Sequence, residues 1–395
     1  MFPYAHIFIY IFIIVISMEF TSISSLNSDP LMKTFNKYNS LCVTKKRAVA
    51  SVVGAAVADA ATRPTHWVYD SSKLVKSIGE NNPEFWPNNL SPFYSIDTGK
   101  RSCYNEESFV MLNSLPSKPI PSFDISLFKK SLANFFSPES EYAEALKLRV
   151  IAYEPSQRLK DREPIPGPWQ HQAITYFLER YAADEEITGS VDNLESDGLC
   201  STIPLIARLA VHVDDDSQAS LFTTESMLVL TSNELASSHA AVSAAILRRV
   251  ILTGDLTSSQ VSEMCPDDII RSEIESVIRS ITEGEGHTEA VGRMGRACGY
   301  PGNFQSALRG ILTSLPGSSA SESASDTCSN SFVSAVRRNL LAGGCNCSRA
   351  NFIGACIGAL VGIGGDKGIP IDWVRRTDKG EEIFALALER VACGL

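Results

Sequence analysis

Apolar residues recur at helical spacing through most of the chain, in Lys45–Ala61, Asp124–Phe136, Glu139–Ala152, Trp169–Tyr181, Ile203–Val213, Ala236–Leu252, Thr257–Ile281, Phe332–Leu341, Ser348–Ile363 and Gly380–Val391. No stretch alternates as a strand should, so the pattern predicts an all-α fold. Two start signals stand out. Ser137-Pro138-Glu139 sets a capping residue before proline and an acid, and Pro266-Asp267-Asp268 opens an acidic first turn. Breaks fall at Asn81–Asp97, rich in Asn, Pro and Ser, and at Leu315–Ser331, a low-complexity run that predicts a surface loop. Neither separates two cores, and the reading is one domain from residue 43 to residue 393.

Two of these helices carry almost no large side chains on one face. Gly354, Gly358 and Gly362 recur every fourth position in the second, and each glycine inside a helix costs about 1 kcal/mol relative to alanine. Such a stripe predicts a partner backbone packed against it, and Lys45–Ala61, with Gly54 at its middle, is the natural partner. Cys356, in the same helix, reads as a buried core residue.

Composition narrows the function classes. With 35 Lys+Arg against 45 Asp+Glu the formal charge is -10, which argues against a nucleic-acid backbone as partner. A hydrophobic fraction of 44% and a mean hydropathy of +0.01 fit an ordinary globular protein. The 10 cysteines are scattered, with no zinc-ribbon spacing. Residues 1–25 stand apart: Ile7–Ile16 is continuously apolar, with Ser22-Ile23-Ser24 after it. The readings are a cleaved secretory signal or a spurious extension, with Met18 or Met32 as initiator; the run is too short for a confident membrane span. Localisation follows that choice, secretory pathway in the first case and cytoplasm in the second. Oligomeric state is not legible.

The motifs that carry chemistry lie near the ends. Gly343-Gly344-Cys345-Asn346-Cys347-Ser348 brings two thiols, an amide and a hydroxyl to the start of a helix, where free N–H groups favour anions. Gly365, Ile369, Pro370 and Trp373 follow it. Upstream are Gly54–Ala61, Arg63–Asp70, and Gly99–Ser108 (GKRSCYNEES), with weaker signals at Pro166–Trp169, Asp197-Gly198 and Pro204–Arg208. Together these resemble the ADP-ribosylglycohydrolase superfamily. The nearest resemblance is to the branch with the J-type lens crystallins and selenoprotein J, and it implies a single orthogonal helical bundle of that type.

The resemblance also implies a site. Acidic and hydroxyl residues of that family hold Mg²⁺ ions that position a ribose diol while a carboxylate assists water. Carried over position by position, it implies Glu106, Glu107, Ser108 and Ser348 as metal ligands, Glu106, Glu107 and His66 as catalytic groups, and Asn105, Asn346, Gly343 and Gly344 as substrate-binding residues. An ADP-ribose-like small molecule or an ADP-ribosylated substrate would be the partner. This chain departs where Cys345 and Cys347 stand in place of two aspartates, since soft sulfur binds Mg²⁺ poorly, and where His66 stands for a glutamate; the expectation is that Mg²⁺ is weakly held or lost. Asp59 reads as a core residue that caps or pairs. Three functions remain open: hydrolysis of an ADP-ribosyl or related glycosidic bond at a degenerate metal site; a non-catalytic structural or ligand-binding role; and a thiol, redox or soft-metal site built from Cys103, Cys345 and Cys347.

Overall fold

The computed structural model describes residues 29–118, 123–152, 163–315 and 331–393. The expectations for residues 1–25 and for the interior of the Leu315–Ser331 loop lie outside them. The chain divides into a short N-terminal unit ending at Cys42 and a large unit, Val43–Gly394. In the first, α1 (Pro30–Ser40) starts at Asp29, whose carboxylate accepts the Leu31 N–H at 3.0 Å.

The large unit is helical almost throughout. In chain order come α2 (Val43–Thr62), α3 (Ser71–Ile78), α4 (Cys103–Ser114), α5 (Ile125–Phe135), α6 (Glu141–Ala152), α7 (Gln172–Ala182), α8 (Asp197–His212) and α9 (Asp216–Met227). Then follow α10 (Glu234–Thr253), α11 (Ser258–Glu263), α12 (Asp268–Thr282), α13 (His287–Met294), α14 (Gly302–Leu312), α15 (Phe332–Leu341), α16 (Asn346–Val361), α17 (Ile371–Arg376) and α18 (Gly380–Leu386). The fold is all-α. Its one sheet among the described residues is a two-residue parallel pair, β1 (Tyr94–Ser95) and β2 (Ile165–Pro166), with Tyr94 opposite Ile165. Of these helices α10 is long and apolar enough to cross a membrane by length and composition alone, but more than half of its most apolar stretch is buried in the protein, as a core helix requires.

The centre is the pair α2 and α16. A methyl group added to Gly54 would collide with the Gly354 carbonyl and lie 3.2 Å from the Gly358 Cα. Added to Gly354, it would collide with the Gly54 carbonyl. The glycine stripe therefore lets two backbones touch, as the sequence predicts, and Ala50, Gly54 and Ala58 line the facing side. Gly362 is the exception: with φ +77° it caps α16 rather than lying inside it.

Three other boundaries differ from expectation. Thr257–Ile281 is two helices, because Pro266 interrupts the backbone bonding and Asp267 caps α12 through the Ile269 and Ile270 N–H groups. α8 begins at Asp197, six residues before the expected start, and runs through Pro204, a residue that usually marks a first turn. α6 begins at Glu141 after a turn at Ser137–Ser140. α4 escaped prediction as a helix because it has no polar face: Asn113 is its one exposed residue.

Candidate functional site

The N-terminal end of α4 lies where α2, α16 and the segment after α2 converge. Asp59 is fully buried: its Oδ1 accepts the Ser102 N–H at 2.7 Å, and its Oδ2 accepts the Ser102 hydroxyl at 2.6 Å and the Asn351 Nδ2–H at 2.9 Å. It thus holds the capping residue of α4 and ties it to α16. Burial raises its carboxyl above the usual range, against the pull of the Ser102 bonds.

Glu106 and Glu107 are successive residues of a helix and face different neighbours. Arg101 Nη2 donates to Glu106 Oε1 at 2.9 Å, and its Nη1 donates to the Asp378 carbonyl. Glu107, wholly enclosed, has its Oε1 3.4 Å from Cys103 Sγ and 3.6 Å from His171 Nδ1. His171 Nδ1 is in turn 2.6 Å from Asp197 Oδ1. Two adjacent carboxylates would repel without a cation; here each has its own, a guanidinium for Glu106 and an imidazole for Glu107.

The protonation states follow from burial and these neighbours. Burial, and then the Asp197 charge, push the Glu107 carboxyl well up. Burial works against a charged His171, but Cys103 and Asp197 outweigh it and hold the imidazolium well above its ordinary range. The Cys103 thiol is pushed up to about 12, chiefly by burial. Glu195, half-buried at the edge of the cluster, is raised to about 7 by burial and by Asp197, and its Oε1 accepts the Cys298 thiol at 3.0 Å.

The C-terminal turn forms the opposite wall. Gly343 and Gly344 both have φ near +70°, and side chains there would collide with the Val68 and Arg296 backbones. The buried Arg349 guanidinium sits beneath, donating to the Gly343 carbonyl at 2.5 Å and to Asn339 Oδ1 at 2.9 Å. Cys345 Sγ lies 3.3 Å from His66 Nε2 and 3.7 Å from the Tyr104 hydroxyl; His66 Nδ1 meets the Tyr94 hydroxyl at 2.9 Å. Burial alone would raise the Cys345 thiol, but hydrogen bonds from Cys298 and His66 with the His66 charge bring it well below its usual value. Cys347, two residues on, is 3.6 Å from Thr62 Oγ1 and is pushed up by burial and by Asp59.

The expected site residues are thus distributed over one buried region with separate attachments. Cys345 and Cys347 share a core cluster with Trp67, Tyr94, Tyr104 and Cys200, against which Cys298 packs, whereas Cys103 bonds within the Glu107–His171 group. Of the substrate-binding candidates, Asn105 donates to Asn351 at 2.7 Å and Asn346 to Thr65 Oγ1 at 2.8 Å, both enclosed. Of the metal-ligand candidates, Ser348 Oγ accepts from Asn303 at 2.6 Å and donates to the Cys345 carbonyl at 2.8 Å, Ser108 is buried on α4, and Glu106 is paired to Arg101. Mg²⁺ asks for converging free oxygens in near-octahedral array. This set, occupied by a guanidinium, an amide and two enclosed thiols, does not fit it.

His171, Asp197, Glu195 and Cys298 complete the region and were missed as site residues in the sequence. Asp197, and Trp169 two residues before His171, lie in the weak segments noted above, but separations of tens of residues gave no spacing to recognise. The rim is aromatic: Trp67 packs edge-on against Trp169, Phe93 and Tyr94, with centroids 5.2, 5.5 and 5.6 Å away, and Arg149 lies 4.2 Å over the Trp169 ring. An apolar cleft of about 400 Å³ opens elsewhere, between α8, α9 and α10, and carries none of this chemistry.

Comparison with known proteins agrees with the fold. The family profile described as ADP-ribosylglycohydrolase matches residues 43–393. Crystallin J1A of Tripedalia cystophora is 31% identical over 348 residues, 87% of this chain and 95% of the relative. Crystallin J1B of the same organism is 29% identical over the same shares. A solved structure titled ADP-ribosylglycohydrolase-related protein complex superposes with a TM-score of 0.57 at 18% identity, covering 90% of this chain and all of the other, a likeness of fold.

Proposed function

Because the chain belongs to the ADP-ribosylglycohydrolase family, we propose that it binds an ADP-ribose-like molecule or an ADP-ribosylated substrate at the rim formed by Trp67, Trp169, Glu195 and Cys298 without magnesium-dependent hydrolysis. The observation that carries this reading is the C-terminal turn. Where the resemblance implies two aspartates, Cys345 and Cys347 are fully enclosed and engaged with His66 and Thr62. Soft sulfur in those positions is a poor donor to Mg²⁺, and His66 cannot serve as the carboxylate that would assist water while it is bonded to Cys345 and Tyr94. Aromatic faces and the Arg149 guanidinium suit an adenine ring and a pyrophosphate.

A second reading, hydrolysis of a glycosidic bond, draws on one observation. Glu195, raised to about 7, is a carboxyl that stays partly protonated at neutral pH, as a general acid for a glycosidic leaving group must. Calorimetric titration of the full chain with ADP-ribose, with and without Mg²⁺, separates the readings when paired with an assay of ADP-ribose release from an ADP-ribosylated peptide. We expect binding that Mg²⁺ does not change, and no release. Release that requires Mg²⁺ would overturn the proposal, and release that is Mg²⁺-independent but lost in Glu195→Gln would establish the second reading in its place.

A further inference from the structure

Beyond the residues that the family resemblance assigns, of which only Glu107 recurs here, the structure encloses a quartet of Cys103, Glu107, His171 and Asp197. Cys103 and Glu107 are four residues apart on α4 and so share one face. His171 is the capping residue of α7 and Asp197 the first residue of α8. All four side chains are 0–3% exposed. They are therefore held by three helix ends with little freedom to move.

Two facts distinguish this group from an ordinary buried ion pair. First, Glu107 Oε2 and Asp197 Oδ2 are both buried without a hydrogen-bond partner, although burying an unmet carboxylate oxygen is costly. Second, the donors are spaced as ligands are. One ligand atom each from Cys103, Glu107 and His171 lie within 4.8 Å of one another, and so do one each from His171, Asp197 and Glu195. Tetrahedral coordination at ordinary zinc bond lengths sets ligand atoms about 3.3–3.8 Å apart. The Cys103 Sγ to Glu107 Oε1 distance is 3.4 Å and the His171 Nδ1 to Glu107 Oε1 distance is 3.6 Å. The His171–Asp197 contact, at 2.6 Å, is a hydrogen bond that must open as an ion enters.

We infer that Cys103, Glu107, His171 and Asp197 form a binding site for a divalent ion of the zinc class, which shares only Glu107 with the magnesium set that the resemblance implies. One thiolate, one imidazole and two carboxylates are the mixed S, N and O set that Zn²⁺ and Co²⁺ accept and that Mg²⁺ does not favour. The ion enters as Cys103, His171 and Glu107 each release a proton to solvent, leaving one thiolate, one neutral imidazole and two carboxylates around two arriving positive charges. A proton shared between Glu107 and Asp197 is the competing way to satisfy their free oxygens; it leaves the thiol no role. This inference stands independently of whether the rim binds ADP-ribose.

Co²⁺ is the probe, because it reports its own ligands. The full chain, stripped with a chelator and titrated with Co²⁺, should take up one ion with visible ligand-field bands and a near-ultraviolet thiolate-to-cobalt band, and Zn²⁺ should displace it. Cys103→Ser should remove the near-ultraviolet band and keep the visible bands. His171→Gln should weaken uptake by more than about 100-fold, beyond what loss of a supporting contact does. Circular dichroism melting of each variant verifies that it is folded; if either variant fails to fold, Asp197→Asn takes its place with the same expected loss. Absence of one-to-one uptake by the native chain would overturn the inference. So would a charge-transfer band that survives in Cys103→Ser and disappears in Cys345→Ser, since the turn would then be the metal site.

Discussion

Glu195 is the residue at which burial has the most direct thermodynamic consequence. Its carboxyl is raised from 4.5 to about 7, so the folded protein binds its proton more tightly than the unfolded chain does. The resulting stability is present in full below the unfolded value of 4.5 and is lost as pH rises through the folded value near 7. The loss is on the order of 3 kcal/mol for a shift of this size. Urea denaturation of the native chain should therefore show a fall in stability between about pH 4.5 and pH 8 that Glu195→Gln lacks, the difference between the two curves being the test. An unchanged slope in the variant would mean that Glu195 is not the group that takes up the proton. The magnesium comparison above belongs to the same scale, since it depends on two side chains, Cys345 and Cys347, being sulfur rather than oxygen.

Among helices, the α2–α16 crossing gives the sharpest expectation. Gly54→Ala improves helix propensity by about 1 kcal/mol, yet its methyl group meets the Gly354 carbonyl, a backbone atom that has no rotamer through which to yield. Overpacking should win, with a net destabilisation of about 1–3 kcal/mol read as a lower urea midpoint at constant slope. Alanine at Gly79 serves as the contrast, since a methyl group there meets nothing and only its φ of +62° resists. This packing was legible in the sequence because a glycine stripe in a helix has few other uses. The start of α4 was legible only as a motif: its residues are buried on every side, so periodicity had no polar face to detect. The meeting of His171 and Asp197 with Cys103 and Glu107 was not legible, because it is made by three separate helix ends brought together by packing, and no local spacing records that.

The whole chain shows one large unit, Val43–Gly394, whose boundary coincides with the start of the family match at residue 43. A protein beginning at Val43 should accordingly fold, and unfold in a single cooperative urea transition. A broad or missing transition in that protein, beside a sharp one in the full chain, would assign residues before Val43 a necessary part in the fold. The all-α class was recoverable from periodicity alone. The boundaries that shifted did so at proline, where one residue type both starts helices, as at Pro30, and lies within one, as at Pro204.

The backbone contact between Gly54 and Gly354 joins positions about 300 residues apart along the chain. At a synthesis rate of roughly 5–20 residues per second, α2 leaves the ribosome on the order of 15–60 s before its partner exists. Throughout that interval a helix of Val and Ala, buried on nearly every side in the finished protein, has no native surface to cover it. The glycines that allow so tight a closure therefore also make the nascent chain dependent on its last quarter, and on whatever shields α2 until α16 arrives.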